Sequence, residues 1–133
     1  MSSIIEVVAL ALQRKVDNRY MIARRGPGGS GAGFWEFPGG KIETGETQPQ
    51  ALIREIFEEF SFLLETKDLQ FIDQNIHEYS GKKISLYLWT CQLMTIPNMK
   101  LVDHDDIAWC NPNEMRAYNI SPGDVNFISK LIS

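Results

Sequence analysis

Three glutamates, Glu55, Glu58 and Glu59, are spaced so that they share one side of a helix. At about 100° per residue, with Glu55 as zero, Glu59 falls at roughly 40° and Glu58 at roughly 300°. Ile53, Ile56, Phe57 and Phe60 gather between roughly 100° and 200° on the same wheel. Such a helix carries one oily stripe for packing and one acidic stripe for chemistry. Carboxylates three and four apart repel by a few tenths of a kcal/mol, which Arg54 relieves in part through its i,i+4 pairing with Glu58. Clustered carboxylates suit a hard divalent cation, because Mg²⁺ takes oxygen ligands and shares them with phosphates. The same stripe also fits a solvated helix face, and periodicity alone does not choose between the two.

The elements that must hold this stripe are legible in outline. Thr47 is a cap residue, Pro49 suits the first turn, and the apolar positions run to Phe60, so a helix is expected over 47–60. Ile4–Arg14 reads as a strand, Asp17-Asn18 as its turn, and Tyr20–Ala23 as the returning arm of a hairpin. The stretch from Gly26 to Gly33 is too rich in glycine for regular structure and is expected to form a flexible loop at the rim. No GK[ST] follows it, so it is not read as a phosphate loop. Phe34–Phe37 is a strand stub that Pro38-Gly39-Gly40 should stop. Leu69–Tyr79 and Lys83–Leu93 flank Ser80-Gly81-Lys82 as a long hairpin, and Ile107–Cys110 is a further short strand. Asn111-Pro112 and Ser121-Pro122 each place a cap before a proline, announcing two more helices. Strict strand–helix alternation is absent, so the expectation is an α+β chain with a mixed sheet covered on both faces.

Composition limits the function. At 133 residues, 44% hydrophobic and 23% charged, the chain fits one domain over 1–133 with a buried core. No stretch approaches the roughly 20 apolar residues of a membrane span, and the start lacks the features of a signal peptide. The net charge of −4 argues against a stable nucleic-acid partner. It does not argue against a single nucleotide, since a bound cation inverts the local field. Cys91 and Cys110 form no CxxC pair and read as reduced core thiols of a cytoplasmic protein.

Outward from the helix the spacing becomes specific. Five residues separate Gly40 from Glu46, and seven more lead to Arg54-Glu55-Ile56-Phe57-Glu58-Glu59-Phe60-Ser61-Phe62. This segment resembles the Nudix box at every fixed position but two. Ser61 stands where the family has glycine, and Phe62 is an aromatic variant of the final aliphatic residue. Serine at a left-handed helix end costs about 1 kcal/mol if that geometry is kept. The likeness extends to the MutT branch through Trp35–Glu43 and the Ile22-Ala23-Arg24-Arg25 strand, and covers most of the chain.

The resemblance implies the Nudix fold, an α/β/α sandwich with a mixed sheet and a loop–helix–loop catalytic motif. It implies Mg²⁺, with Mn²⁺ as an alternative, held by Glu55, Glu58, Glu59 and the carbonyl of Gly39. Arg54 would orient the glutamates, Glu46 would support the loop, and Glu55 or Glu58 would take the proton of the attacking water. Asp103, six positions before Trp109, matches a second carboxylate of MutT-like enzymes; an acidic turn is the alternative, and His104 reads as a loop histidine. Arg24, Phe37, Lys41, Tyr79, Lys82 and Asp124 occupy positions that meet nucleotide in that branch. An aspartate at 124 accepts from guanine or cytosine, and donates too if burial raises its pKa. The implied reaction is hydrolysis of a nucleoside triphosphate to monophosphate and pyrophosphate, with 8-oxo-dGTP first and CTP, dCTP or methylated dCTP as the alternative. Pyrophosphohydrolysis of RNA 5′ ends and a non-catalytic nucleotide-binding module rank below these. The expected partner is a small nucleotide, and the expected assembly a monomer or homodimer.

Overall fold

The apolar run Val7–Leu12 lies inside an 11-residue strand, β1 (Ile4–Arg14), at the centre of a seven-stranded mixed sheet. The structure is a computed structural model that describes residues 4–29 and 31–132, and of Tyr79 the backbone alone. Met1, Ser2, Ser3, Ser133 and Ser30 of the glycine-rich stretch lie outside the described residues. β2 (Arg19–Arg25), β3 (Trp35–Glu36), β4 (Gly39–Lys41), β5 (Gln70–Tyr79), β6 (Lys82–Leu93) and β7 (His104–Cys110) complete the sheet. Its main order is β3-β2-β1-β6-β5, with β4 paired to β1 and β7 to β2. β1 and β6 run parallel over their whole length, and the other pairs are antiparallel.

Both faces of β1 are buried, which is why its sequence is continuously apolar rather than alternating. Val8, Leu10 and Leu12 face a core shared with Ala51, Leu52, Ile56 and Phe60 of α1 (Gln48–Phe60). Ala9 and Ala11 face a second core, shared with Met115 of α2 (Pro112–Met115) and with Phe127, Ile128 and Leu131 beyond α3 (Pro122–Val125). The expected covering of a mixed sheet on both sides is therefore observed. Cys91 and Cys110 are buried free thiols. No helix among the described residues is long and apolar enough to cross a membrane.

Four expectations change in detail. Pro38-Gly39-Gly40 does not simply end a strand: Gly39 and Gly40 open β4, opposite Ala9 and Val8 of β1. A Cβ on Gly39 would overlap the carbonyl oxygen of Val8, so only glycine permits this approach. β7 begins at His104, which is therefore a strand residue and not a loop histidine. Phe57 is 55% exposed, although the wheel grouped it with the oily stripe; Ala51 and Leu52 take its share of the packed face. Ser121 precedes α3 without a side-chain cap bond, whereas Asn111 accepts from Glu114 N–H at 2.8 Å and caps α2 as expected.

Candidate active site

Helix α1 starts on a capping box in which Thr47 Oγ1 accepts from Gln50 N–H and Gln50 Oε1 accepts from Thr47 N–H. It ends at Ser61, whose φ of 61° is left-handed and whose N–H donates to Phe57 O at 3.0 Å. The serine thus keeps the conformation that glycine would adopt more cheaply. Between these ends the helix carries its acids across the mouth of β4.

Arg54 organises them. Its Nε and Nη2 donate to the two oxygens of Glu46 at 2.7 and 2.9 Å, a two-point pairing. Its Nη1 donates to Glu55 Oε1 at 2.9 Å and, at 3.4 Å, to Glu58 Oε2, while Nη2 also reaches the Lys41 carbonyl at 3.0 Å. Glu46 in turn accepts the Glu43 N–H at 2.9 Å, so the loop before the helix is tied to the helix through one guanidinium. The Arg54 pairing holds the Glu46 carboxyl down at about 2. The i,i+4 contact with Glu58 read from the sequence is the longest of these bonds; the main partner is Glu46.

Glu55 lies against Gly40, where any Cβ would overlap its carboxylate, and burial raises its pKa against the opposing pull of Arg54. Glu59 is 7% exposed, and its Oε2 is buried without a hydrogen-bond partner among the described residues. Burial, then Glu55, Glu36 and Asp103, push its carboxyl up to about 8. Glu58 stands on the open side, its side chain 57% exposed. Among the described residues no three His, Cys, Asp or Glu side chains are already drawn together as a bound metal would hold them. The donor set nevertheless fits a hard cation: an orphaned buried oxygen, a glycine cradle, and carboxylates whose mutual repulsion a cation would relieve.

The backbone carries Asp103 to this place. Lys100 and Val102 N–H donate to the carbonyls of Phe60 and Glu59 at 3.0 and 3.2 Å, stitching the segment to the last turn of α1. Gly26 N–H donates to the Asp103 carbonyl at 3.0 Å, fastening the glycine-rich loop to the same point. A hollow of about 410 Å³ opens there, lined by Arg25, Gly26–Gly29 and Val102–Asp105. A larger hollow of about 490 Å³, lined in part by Gln13, Tyr20, Gln92 and Lys130, sits at the far end of β1 and includes none of the glutamates.

The remaining candidates divide. Asp124 is buried on α3, and its Oδ2 accepts the Phe37 N–H at 3.0 Å. Main-chain bonds between Trp35 and residues Asn119 and Ser121 hold the segment before α3 against β3, and Asn75 Nδ2 of β5 donates to the Gly123 carbonyl of α3. Burial, with the nearby charge of Glu36, pushes the Asp124 carboxyl up to about 7. The Phe37 ring packs in the second core, 3% exposed, so its polar contribution is its main-chain N–H. Arg24 pairs with Asp105 at 2.7 Å and lies over the Trp35 ring at 5.6 Å. Lys41 and Lys82 are exposed, and Tyr79 faces Lys82 across the β5–β6 turn, its side chain outside the described residues. Glu36 and His104 are the pair that sequence reasoning missed. Glu36 Oε2 lies 2.9 Å from His104 Nε2 and accepts from Arg25 Nη1 at 3.3 Å. Nothing in the local pattern marks two residues 68 positions apart as partners.

A family model described as a NUDIX domain matches residues 8–130. The chain belongs to the NUDIX family. Over 97% of its length it is 32% identical to the CTP pyrophosphohydrolase of Escherichia coli K12, covering 92% of that protein. It is also 34% identical, over 82 residues and 62% of each chain, to the 8-oxo-dGTP diphosphatase of the same organism. The crystal structure of the MutT protein from Methanosarcina mazei superposes with a TM-score of 0.85 at 19% identity, covering 98% of this chain and 94% of that one, which shows the shared fold. As a Nudix hydrolase the protein cleaves phosphoric anhydride bonds, in the MutT-like group of nucleotide pyrophosphohydrolases. The family generally works with divalent cations.

Proposed function

We propose that the protein hydrolyses a nucleoside triphosphate to monophosphate and pyrophosphate, that Mg²⁺ serves as its cation, and that Asp124 reads the base. The observation that carries the base assignment is the buried Asp124 carboxyl, bonded to the Phe37 N–H and held at about 7. A neutral carboxyl donates its O–H to N3 of cytosine and accepts from the 4-amino group, a two-point match. An ionised one only accepts, which suits the N1–H and 2-amino group of a guanine. A carboxyl poised near neutrality favours cytosine nucleotides at and below that pH. The relative that matches nearly the whole chain, named for CTP, supports the same order. The guanine reading, 8-oxo-dGTP included, is the second, and the 34% relative supports it.

In this reading Glu55, Glu58, Glu59 and the Gly39 carbonyl hold the cation, with Mn²⁺ a substitute. The cation, when bound, neutralises phosphate charge and makes a bound water more acidic. Arg54 fixes Oε1 of Glu55, which leaves Oε2 to accept the proton of the attacking water. Asp103 brings a further carboxylate to the same mouth from the opposite side. Arg24 and Lys41 supply positive charge toward phosphate, and Tyr79 and Lys82 meet the nucleoside from the β5–β6 turn. Two buried, unbridged thiols accord with a reducing compartment, and we place the enzyme in the cytoplasm.

A panel of CTP, 5-methyl-dCTP, 8-oxo-dGTP, dGTP, a nucleotide sugar and triphosphorylated RNA, assayed with Mg²⁺, decides the matter. CTP turnover above the rest is expected, with pyrophosphate released. Bound nucleotide with no turnover of any substrate would rule out the enzyme reading. Glu58→Gln is expected to lower kcat by about 10²-fold or more at an unchanged melting temperature, because the residue is exposed and its role is chemical.

A further inference from the structure

His104 is the least explained residue near the site. Its ring is almost wholly buried, with 1% of the side chain exposed, and stacks on Phe60 with centroids 5.1 Å apart and planes 22° apart. Nε2 meets Glu36 at 2.9 Å, while Nδ1 is buried with no hydrogen-bond partner among the described residues. A phenylalanine would stack as well and leave no polar atom unmatched. Packing alone therefore does not account for an imidazole here.

The partner accounts for it. Glu36 sits on the two-residue strand β3, one position before the Phe37 N–H that holds Asp124, and its side chain is 14% exposed. It is near enough to Glu59 and to Asp124 to act on both carboxyls. Arg25 reaches it from β2 at a long 3.3 Å and is itself partly exposed, whereas His104 approaches at 2.9 Å from a packed strand.

We propose that His104 is a positioning residue: through an Nε2–H bond it fixes the Glu36 carboxylate between the metal-binding glutamates and the base-reading aspartate. The inference rests on the function proposed above. The neutral Nε2–H tautomer follows from it, because that form donates to Glu36 and leaves on Nδ1 a bare lone pair instead of a stranded N–H. With the bond lost, Glu36 swings between Arg25 and solvent, and both ends of the site feel a displaced charge.

The test starts with the unaltered protein. The chain has two histidines, His77 and His104, so a His77→Gln variant assigns their ¹⁵N ring resonances in an NMR spectrum. An Nε2–H tautomer for His104 with a slowly exchanging proton is expected; the Nδ1–H tautomer overturns the proposal, whether or not any nucleotide is turned over. In a wild type active with CTP, His104→Phe keeps the stack and is expected to cut kcat/KM about tenfold and raise the Mg²⁺ concentration for half-maximal rate. His104→Gln, which restores an amide donor, recovers most of both. In a Glu36→Gln background His104→Phe adds nothing further. Additive losses in that background, or a His104→Phe enzyme with wild-type Mg²⁺ dependence, refute a role exerted through Glu36. Should His104→Phe not fold, the tautomer and the His104→Gln kinetics still decide. A wild type inactive toward every nucleotide would fell the functional reading while leaving the tautomer result intact.

Discussion

Asp124 is where one proton matters most. Its carboxyl rises from 3.8 to about 7 on burial, so between those values the folded protein holds a proton that the unfolded chain has released. Native stability is therefore lost as pH climbs through that window and is level above it. The shift corresponds to a few kcal/mol as an order of magnitude. Asp124→Asn keeps a carbonyl to accept the Phe37 N–H and does not titrate. The melting temperature of the variant minus that of wild type is expected to be more positive at pH 8 than at pH 5. The variant's amide both donates and accepts, so it should keep the CTP preference at pH 8, where the ionised wild-type carboxylate loses it; the same pH-dependent preference in both proteins would reduce Asp124 to a structural role. The residue was visible in the sequence as a candidate position, but its burial and raised pKa were not. Burial on α3 and the charge of Glu36 set that pKa, and both depend on distant packing.

At the scale of the element, α1 shows which signals travel well from sequence to structure. The cap at Thr47, the three acids and Arg54 were all legible, because each depends on neighbours within one or two turns. Phe57 was misjudged because a wheel assigns a face without knowing where the neighbouring strand stops. Phe57→Ala is expected to change unfolding free energy by less than about 0.5 kcal/mol, and Phe60→Ala to cost about 3–5 kcal/mol. Denaturant titration separates the two, and similar losses would contradict the packing described. Ser61→Gly is expected to stabilise by about 1 kcal/mol, since the left-handed φ of 61° is already present. Calorimetry should show a rise of a few degrees with the same metal-dependent rate. The Glu36–His104 pair was illegible for the opposite reason: β3 is two residues long, and its partner lies on a strand that pairs elsewhere.

For the whole molecule, the site is a meeting of β4, α1, β3 and the segment before β7, and no one of them can hold it. A cation that binds the native arrangement and not the unfolded chain stabilises all of these elements together. Mg²⁺ is therefore expected to raise the melting temperature of the wild type, and to do so far less in Glu59→Gln, whose orphaned oxygen is the best-prepared donor. Equal shifts in both proteins would place the ion elsewhere. The layered α+β architecture was readable from the order of elements. The pairing of β1 with β6 was not, because parallel neighbours carry no turn between them to announce it.

That pairing has a consequence for how the protein comes into being. The two central strands are in register at positions 79 apart in the chain, as the bond from Thr90 to Ala11 shows. A ribosome adding about 5–20 residues per second needs several seconds to supply the second strand after the first. Throughout that interval β1, with apolar side chains on both faces, waits with one long edge uncovered. The nascent chain is open to aggregation for that time, and folding waits on closure of the large loop.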